Sequence, residues 1–279
     1  MVVAIIGTGL IGGSMAIALR EKNIASHLVG VDSNAEHREQ ALASGLVDEM
    51  LELHEAVNKS DVVIVATPVD ASANLIKEVL DLVVHQTVID VGSTKQVICQ
   101  LAAKHKNRKR FVATHPMWGT EFKGPLAAVE GAFTDKAVVI CNQDESAEDA
   151  LEFTKEMYRA LGMHLIYMDA APHDVHAAYI SHISHITSFA LANTVLEKER
   201  EEDAIFELAS GGFESTVRLA KSNPEMWVPV FRQNRENVLD VLNEHISQLR
   251  KFKSCLEKEN YEYLTELIEN ANKISRILK

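Results

Sequence analysis

Four groups of residues in this 279-residue chain have types and spacings that could do chemistry. The first is the glycine run 7–12, Gly7-Thr8-Gly9-Leu10-Ile11-Gly12, which lies between an apolar segment and a helix-like segment. A second apolar segment then ends at Asp32. This order of elements is typical of a dinucleotide-binding unit: a strand, a glycine turn, a helix, a second strand and an acidic residue. Gly7 is expected to allow the tight turn, Gly9 to admit a pyrophosphate, and Asp32 to accept hydrogen bonds from ribose hydroxyls.

The acid also bears on the choice of dinucleotide. A carboxylate at the ribose edge repels a 2′-phosphate, and Ser33-Asn34 supplies no arginine to hold one, so NAD is favoured over NADP. Residues 2–19 carry no charge, but they contain four glycines with Thr8 and Ser14, and no basic residue precedes them. This segment is therefore a poor signal peptide and a poor membrane span.

The second group is a histidine at a strand end, in Thr114-His115-Pro116-Met117. The imidazole pKa suits proton transfer near neutral pH, and the neighbouring motifs favour a functional reading over a structural one. Another strand end, in the run 90–95, carries Ser93 and Thr94. Each of these hydroxyls could cap the following helix or act in catalysis, and the sequence leaves both roles open.

The third group is Ser181-His182-Ile183-Ser184-His185, preceded by His173-Asp174. Residues three apart share a helix face, so His182 and His185 are expected to point together into a cleft. Core histidines and metal ligands are the alternatives. No metal site is predicted, because no compact ligand set appears.

The fourth group is Arg218, which follows a break at Gly211-Gly212. The planar guanidinium matches a carboxylate in geometry and charge. The alternative is a surface ion pair with Glu214, four residues earlier on the same helix.

The elements that must position these residues alternate between strand and helix in the first half of the chain. Helices are predicted at 14–20, 71–83 and 147–161. Strands are predicted at Val2–Ile6, His27–Val31, Val62–Ala66, Thr87–Val91, Phe111–Thr114, Ala137–Cys141 and His164–Tyr167. This alternation indicates an α/β, Rossmann-type, doubly wound and mostly parallel sheet. Ligands of such sheets bind beyond the carboxyl ends of the strands, where these motifs fall.

After about Asp169 the strand signals stop and the chain reads as helical. We therefore predict a dinucleotide-binding domain over 1–168 and an all-helical substrate and dimerisation domain over 169–279. Apolar residues recur every three or four positions over 238–256 and 261–277. A helical half of about 110 residues cannot easily bury all these stripes, which favours a homodimer through these helices over an intramolecular bundle.

The composition restricts the partners. The net charge is −12 and the only basic tract is 104–110, which argues against a nucleic-acid surface. Cys99, Cys141 and Cys255 are widely spaced among apolar neighbours, which suggests neither a disulfide framework nor a zinc site. We expect a cytoplasmic protein with a small-molecule substrate, no membrane partner and no nucleic-acid partner.

Taken together, the motifs at 115–119, 181–185, 211–218 and 226–227 resemble the prephenate/arogenate dehydrogenases of tyrosine biosynthesis, over nearly the whole chain. The resemblance implies a monofunctional, NAD-dependent oxidative decarboxylation of prephenate to 4-hydroxyphenylpyruvate. It implies that His115 takes the proton of the C4 hydroxyl while hydride leaves C4. It also implies that Ser93 holds that hydroxyl or orients His115, and that Arg218 grips a substrate carboxylate.

The resemblance implies roles for further residues. The catalytic set is His115, Ser93 and His185. The substrate-binding set is Arg218, His182, Trp227, Thr120 and Gly211, with Gly211 contributed by a partner subunit. The cofactor-binding set is Gly7, Gly9, Leu10, Ile11, Gly12, Asp32, Thr67, Pro68 and Ser93. The run 214–218 departs from the acid and threonine of many relatives, which puts gating contacts between subunits in doubt.

Three other functions compete with this one. Arogenate differs from prephenate by an amine, and no acidic residue in the sequence stands out as its partner, so prephenate is favoured. A β-hydroxyacid dehydrogenase or imine reductase has a similar architecture, but those families tend to carry a lysine where His182 and His185 lie here. A catalytically silent NAD-binding sensor would need neither His115 nor Arg218.

Overall fold

The computed structural model describes residues 1–199 and 210–277, and it separates the chain into two compact units, residues 1–234 and 235–279. The first unit is built on one sheet. Its strands are β1 (Val2–Ile6), β2 (His27–Val31), β3 (Glu49–Met50), β4 (Val62–Val65), β5 (Thr87–Asp90), β6 (Phe111–Pro116), β7 (Ala137–Cys141) and β8 (His164–Met168). The order across the sheet is β3-β2-β1-β4-β5-β6-β7-β8.

Strand neighbours run parallel except for β6 and β7, which are antiparallel. The chain returns from Pro116 to Ala137 by a loop with a single 3₁₀ turn rather than by a long crossover helix, so it can reverse direction there. Central strands such as β4 are buried on both faces, which explains their continuous apolar runs. The α/β fold class predicted from sequence is thereby confirmed.

Helices cover the two faces of this sheet. They are α1 (Leu10–Glu21), α2 (Ala35–Ala43), α3 (Leu53–Lys59), α4 (Val69–Leu82), α5 (Gln96–Ala102) and α6 (Glu148–Ala160). One apolar cluster packs around Met15, Leu19 and Tyr158, and another packs around Ile76, Leu80 and Phe111 on the other side. Each predicted strand lies within two residues of an observed one. The two-residue β3 and the polar α2 and α3 were not predicted.

The remainder of the first unit is helical and follows β8 directly. It contains α7 (Ala170–Ala177), a π-helical turn (Ala178–His182), α8 (Ile183–Glu199), α9 (Gly211–Val217), a 3₁₀ turn (Arg218–Lys221) and α10 (Pro224–Gln233). Because the first compact unit runs to Asn234, these helices belong to the same body as the sheet. The predicted domain division at residue 168 stays a prediction.

The second unit contains α11 (Arg235–Glu257) and α12 (Tyr261–Asn272), which pack on each other. Several large apolar side chains of this pair are exposed, namely Leu249, Leu256, Tyr261 and Ile268, and so is Ile274 in the 3₁₀ turn (Lys273–Arg276) that follows α12. Within the part of the chain that the structure describes, no helix is both long enough and apolar enough to cross a membrane.

Candidate active site

The glycine loop between β1 and α1 is shaped for close approach of a ligand. Gly7 has a φ of +93°, and a side chain there would come within 2.7 Å of the Ala66 carbonyl oxygen. A side chain at Gly12 would overlap the Gly7 carbonyl oxygen, whereas the space over Gly9 is open. The first turn of α1, which includes Leu10 and Ile11, has no acidic residue and no side-chain cap. Its free N–H groups therefore suit a phosphate.

Asp32 lies at the end of β2, directly beside this loop. One carboxylate oxygen accepts hydrogen bonds from the Thr8 amide (3.0 Å) and the Thr8 hydroxyl (3.1 Å), and the other accepts from the Asn34 amide (2.9 Å). The Arg38 guanidinium donates to the Asp32 carbonyl oxygen at 3.3 Å. An arginine therefore does lie at the end of β2, although Ser33-Asn34 supplies none.

Thr67 and Pro68 lie after β4, on the sheet edge that carries Gly7. The Thr67 hydroxyl shares a hydrogen bond of 2.8 Å with the Ser72 hydroxyl, and Pro68 is the N-cap of α4. The carboxyl ends of adjacent parallel strands meet at one edge. The predicted cofactor-binding residues are therefore neighbours there, and their contacts with a dinucleotide remain predictions.

His115 is the penultimate residue of β6 and is half-buried. Its Nδ1 lies 2.9 Å from Nε2 of His173. Burial lowers the pKa of the His115 imidazole well below its usual value, and the charges that His173, Lys95 and His182 can carry lower it further. The ring is therefore neutral at neutral pH, which is the state a proton acceptor needs.

His173 and Asp174 were not among the predicted site residues, yet they lie on α7 directly behind His115. His173 Nδ1 lies 2.8 Å from Asp174 Oδ1, and both residues are buried. The signal available in the sequence was an adjacent acid and imidazole at the start of the helical half. Their connection to a histidine 58 residues earlier is a tertiary contact that no local pattern encodes.

The loop between β5 and α5 holds Ser93, and of the two roles that the sequence left open the structure does not contain the capping one. Neither Ser93 nor Thr94 caps α5, because the helix begins at Gln96 and the Thr94 hydroxyl donates instead to Gln233. The cap comes from Asp174, whose two oxygens accept from the amides of Lys95 (2.8 Å) and Gln96 (2.9 Å). Ser93 itself is half-buried in this loop, and its catalytic role stays a prediction.

A buried ion pair lies beneath this loop. Lys95 is fully buried; its ammonium group pairs with Asp90 and donates to the Thr114 carbonyl oxygen at 2.8 Å. The Thr114 hydroxyl donates to the Asp90 carbonyl oxygen and also contacts the Tyr158 hydroxyl. Burial raises the pKa of Tyr158. This network ties the ends of β5 and β6 together and so fixes the backbone that carries His115.

The predicted pair of helical histidines does share a face, because both rings contact Trp227. The His185 ring stacks on the indole with centroids 3.5 Å apart, and the His182 ring meets it edge-on at 5.8 Å. His182 is only 1% exposed, and its Nδ1 accepts from the Asn234 amide. Burial lowers the pKa of His182 to about 4. The roles of both histidines and of Trp227 toward a substrate stay predictions.

Trp227 has an unusual feature of its own. Its indole is 7% exposed, yet Nε1 has no hydrogen-bond partner among the described residues. A buried donor without an acceptor is energetically unfavourable and is expected to meet water or a ligand.

Arg218 begins the 3₁₀ turn after α9, and its side chain is 53% exposed. Its partner is Glu121 at 3.3 Å, so the alternative ion pair with Glu214 is not what the structure contains. Thr120 precedes Glu121 in the loop after β6, and Gly211 begins α9 with open space around it. The contribution of Gly211 from a partner subunit stays a prediction.

A chain of short-range electrostatic effects links these groups. The charge that His182 can carry lowers the pKa of His115. Burial lowers the pKa of His185, a hydrogen bond to the Ser181 carbonyl oxygen opposes this effect, and the Arg218 charge lowers it further. In geometry, the rings of His182 and His185 meet at Trp227, and Arg218 pairs with Glu121 in the loop that follows His115 and β6.

The described residues contain no group of three or more His, Cys, Asp or Glu side chains arranged to hold a metal ion. The three cysteines are free and buried, and burial raises the pKa of Cys99 and of Cys141 to about 12. Neither of these two thiols is therefore a reactive nucleophile.

A glycine loop for phosphates and a neutral histidine at the same sheet edge, with an arginine paired to the loop that follows the histidine strand, define a nucleotide-dependent dehydrogenase. Comparison with known proteins agrees. Residues 15–167 match the family model "Prephenate dehydrogenase, nucleotide-binding domain", and residues 169–270 match "Prephenate dehydrogenase, dimerization domain". The chain belongs to the prephenate dehydrogenase family, as its motifs predicted.

Individual relatives support the same assignment. The chain is 30% identical to the prephenate dehydrogenase of Bacillus subtilis strain 168, over 95% of this chain and 72% of that protein. It is 27% identical to the cyclohexadienyl dehydrogenase of Zymomonas mobilis, over 99% of this chain and 96% of that protein. The crystal structure of Aquifex aeolicus prephenate dehydrogenase with hydroxyphenyl propionate and NAD+ superposes with a TM-score of 0.90, at 29% identity, over 99% of this chain and 97% of that chain.

Proposed function

We propose that this chain catalyses the NAD-dependent oxidative decarboxylation of prephenate to 4-hydroxyphenylpyruvate. The observation that carries the proposal is the His115 imidazole, kept neutral by burial, at the sheet edge that also holds the glycine loop, with Arg218 paired to Glu121 in the loop after the same strand. The names of the Bacillus subtilis and Aquifex aeolicus relatives support the substrate, and the NAD+ bound in the latter structure supports the cofactor.

The residues present fit a dinucleotide. Gly7 and Gly12 occupy positions where a side chain would collide with backbone, and the open space over Gly9 leaves room for a pyrophosphate. Asp32 supplies the carboxylate for ribose hydroxyls. NAD, when bound, supplies the acceptor for the hydride that leaves C4. Thr67, Pro68 and Ser93 complete the proposed cofactor-binding set.

His115 acts on the C4 hydroxyl. Its neutral ring accepts the hydroxyl proton while the C4–H bond breaks, so a C4 carbonyl forms. The bond between C1 and its carboxylate then breaks, and its electron pair makes the ring aromatic as carbon dioxide leaves. The oxygen on C4 takes the proton back from His115. Ser93 holds the same hydroxyl, and Arg218 anchors a substrate carboxylate.

His185 and Trp227 form a flat stacked pair suited to the wall of a ring-binding pocket, and buried His182 supports that wall from behind. Thr120 lies next to Glu121, the partner of Arg218. A substrate carboxylate would replace Glu121 on the guanidinium, so substrate binding is expected to break that ion pair.

Arogenate is the second candidate substrate, and Glu121 is the observation that favours it. A carboxylate that contacts the carboxylate-binding arginine could accept the ammonium group of arogenate. The test is a four-way assay of the purified chain with prephenate or arogenate and NAD or NADP, following absorbance at 340 nm. We expect prephenate with NAD to be the fastest pair. No turnover with either substrate would refute the proposal.

We further propose that the chain is a homodimer in the cytoplasm. The family model for residues 169–270 describes a dimerisation domain, and α11 and α12 expose a row of large apolar side chains. Light scattering would show a mass near twice 30.9 kDa. The buried free cysteines suit a reducing compartment.

A further inference from the structure

Two buried residues stand in line behind His115. His115 Nδ1 lies 2.9 Å from His173 Nε2, and His173 Nδ1 lies 2.8 Å from Asp174 Oδ1. The two imidazole rings meet edge to face, with centroids 5.1 Å apart and planes at 68°. His173 is 2% exposed and Asp174 is 1% exposed, so water does not compete for these bonds.

The direction of each bond follows from Asp174. Its two oxygens already accept the amide hydrogens of Lys95 and Gln96 at the start of α5. A carboxylate only accepts, so His173 must donate from Nδ1, and in the neutral form of the ring this leaves Nε2 as an acceptor. His115 must then donate from its own Nδ1. The Nε2 atom of His115 is left with a free lone pair.

We propose that His173 and Asp174 are positioning residues that hold His115 in the tautomer able to accept the substrate proton. The inference rests on the proposed function, in which His115 is the base of the oxidation. Neither His173 nor Asp174 touches the substrate in this arrangement. Asp174 acts on His115 through the His173 ring, and His173 acts on the substrate through the His115 ring.

The same line of bonds stabilises His115 once it has taken the proton. The hydroxyl proton binds to Nε2, and the resulting imidazolium donates from Nδ1 to His173. The Asp174 charge lies beyond His173 and balances the positive ring. When the proton returns to the oxygen on C4, the original tautomers are restored, so no other reactant is needed.

Asp174 is the wrong residue to test first, because it also caps α5 and accepts from no fewer than three donors. Its removal would disturb the Ser93 loop as well as the line of histidines. His173 offers a cleaner test, because asparagine and glutamine each mimic one of its two ring nitrogens.

His173→Asn places an amide nitrogen near the former Nδ1, so it keeps a donor for Asp174 and loses the acceptor for His115. His173→Gln places an amide oxygen near the former Nε2, so it keeps the acceptor for His115. A tautomer-setting carboxylate can be worth up to about 10⁴-fold in turnover. We expect kcat to fall about 10²-fold in His173→Asn and less than about fivefold in His173→Gln, with KM for prephenate changing less than about threefold in both.

The matched control is His176→Asn on the same helix, where the histidine is exposed and the substitution should leave kcat unchanged. Equal kcat values for His173→Asn and His173→Gln, whether both normal or both reduced, would overturn the inference. Recovery of kcat in the glutamine variant is the result that a merely structural role would not give.

A second readout does not depend on turnover. Long-range ¹H–¹⁵N correlation NMR of the ¹⁵N-histidine-labelled chain reports which ring nitrogen carries the proton. We expect His115 to carry it on Nδ1 in the native chain and in His173→Gln, and on both nitrogens in exchange in His173→Asn. A native His115 protonated on Nε2 would refute the inference. Absent turnover with the expected NMR result would instead refute only the proposed function.

Discussion

Replacing His115 with asparagine isolates its role as a base. The asparagine amide nitrogen can occupy the place of the ring Nδ1 and keep the bond to His173 Nε2, which is 2.9 Å long in the native chain. Nothing then replaces the free Nε2. The variant therefore loses the proton acceptor while it keeps the line of hydrogen bonds behind it.

The magnitude follows from what a positioned base contributes. General base catalysis is worth about 10²–10⁴-fold, which corresponds to about 3–5 kcal/mol of transition-state stabilisation. We expect kcat for His115→Asn to fall within that range. KM for prephenate should change less than about threefold, because Arg218 supplies the charged anchor and is unaltered.

The assay is steady-state NAD reduction at 340 nm, with His176→Asn as the matched exposed control and with the melting temperature measured in parallel. Intact folding together with a kcat within tenfold of native would refute the assignment of His115 as the base. A tenfold or larger rise in KM at unchanged kcat would assign the residue to substrate binding instead.

Three further predictions follow from the geometry. Arg218→Lys keeps the charge but loses the planar fork; because charged hydrogen bonds contribute about 1.5–3 kcal/mol, KM for prephenate should rise about 10–100-fold at nearly constant kcat, and a loss confined to kcat would contradict this. Asp32→Asn removes the repulsion of a 2′-phosphate, so the ratio of kcat/KM for NAD to that for NADP should fall at least about tenfold, and an unchanged ratio would contradict it. The pKa of His182 is about 4 in the folded chain, below its unfolded value of about 6.5. The contribution of His182 to the unfolding free energy is therefore fully present above pH 6.5, and about 3 kcal/mol of it should be lost as the pH falls from 6.5 to 4. In His182→Asn, the unfolding free energy from denaturant titrations should depend less on pH across this window than in the native chain, and an equal pH dependence in the two proteins would count against the prediction.

The sequence predicted the strands well because each is recorded locally. Buried runs such as Val62–Val65 are apolar without alternation, and each ends at a turn signal such as Pro68. The same logic failed for β3, because two residues carry no periodicity. It also failed for α2, because most residues of this helix are polar and Ala41 is the only one of them that is buried.

The site residues show the same difference between features that are encoded locally and contacts that are not. The positions of Gly7, Asp32 and His115 at strand ends were predictable, because carboxyl ends of parallel strands meet at one edge. The partners of these residues were not. Asp174 caps a helix that begins 78 residues earlier in the chain, and Glu121 pairs with Arg218 across 97 residues. Such contacts depend on how α7 and α9 pack, which no local pattern records.

These long-range contacts explain why the first compact unit continues to Asn234 instead of ending after β8. Asp174 binds the start of α5, Gln233 accepts from Thr94, and Asn234 donates to the Asp174 carbonyl oxygen. The family models place their boundary at 167–169, so each of these bonds joins or braces the two matched regions around His115. A base supplied by the sheet and oriented by a helix of the second region works only while those regions stay together. The packing that holds them together is therefore part of the catalytic arrangement. A variant that loosens this packing, such as Asn234→Ala, should lower kcat more than it lowers the affinity for NAD.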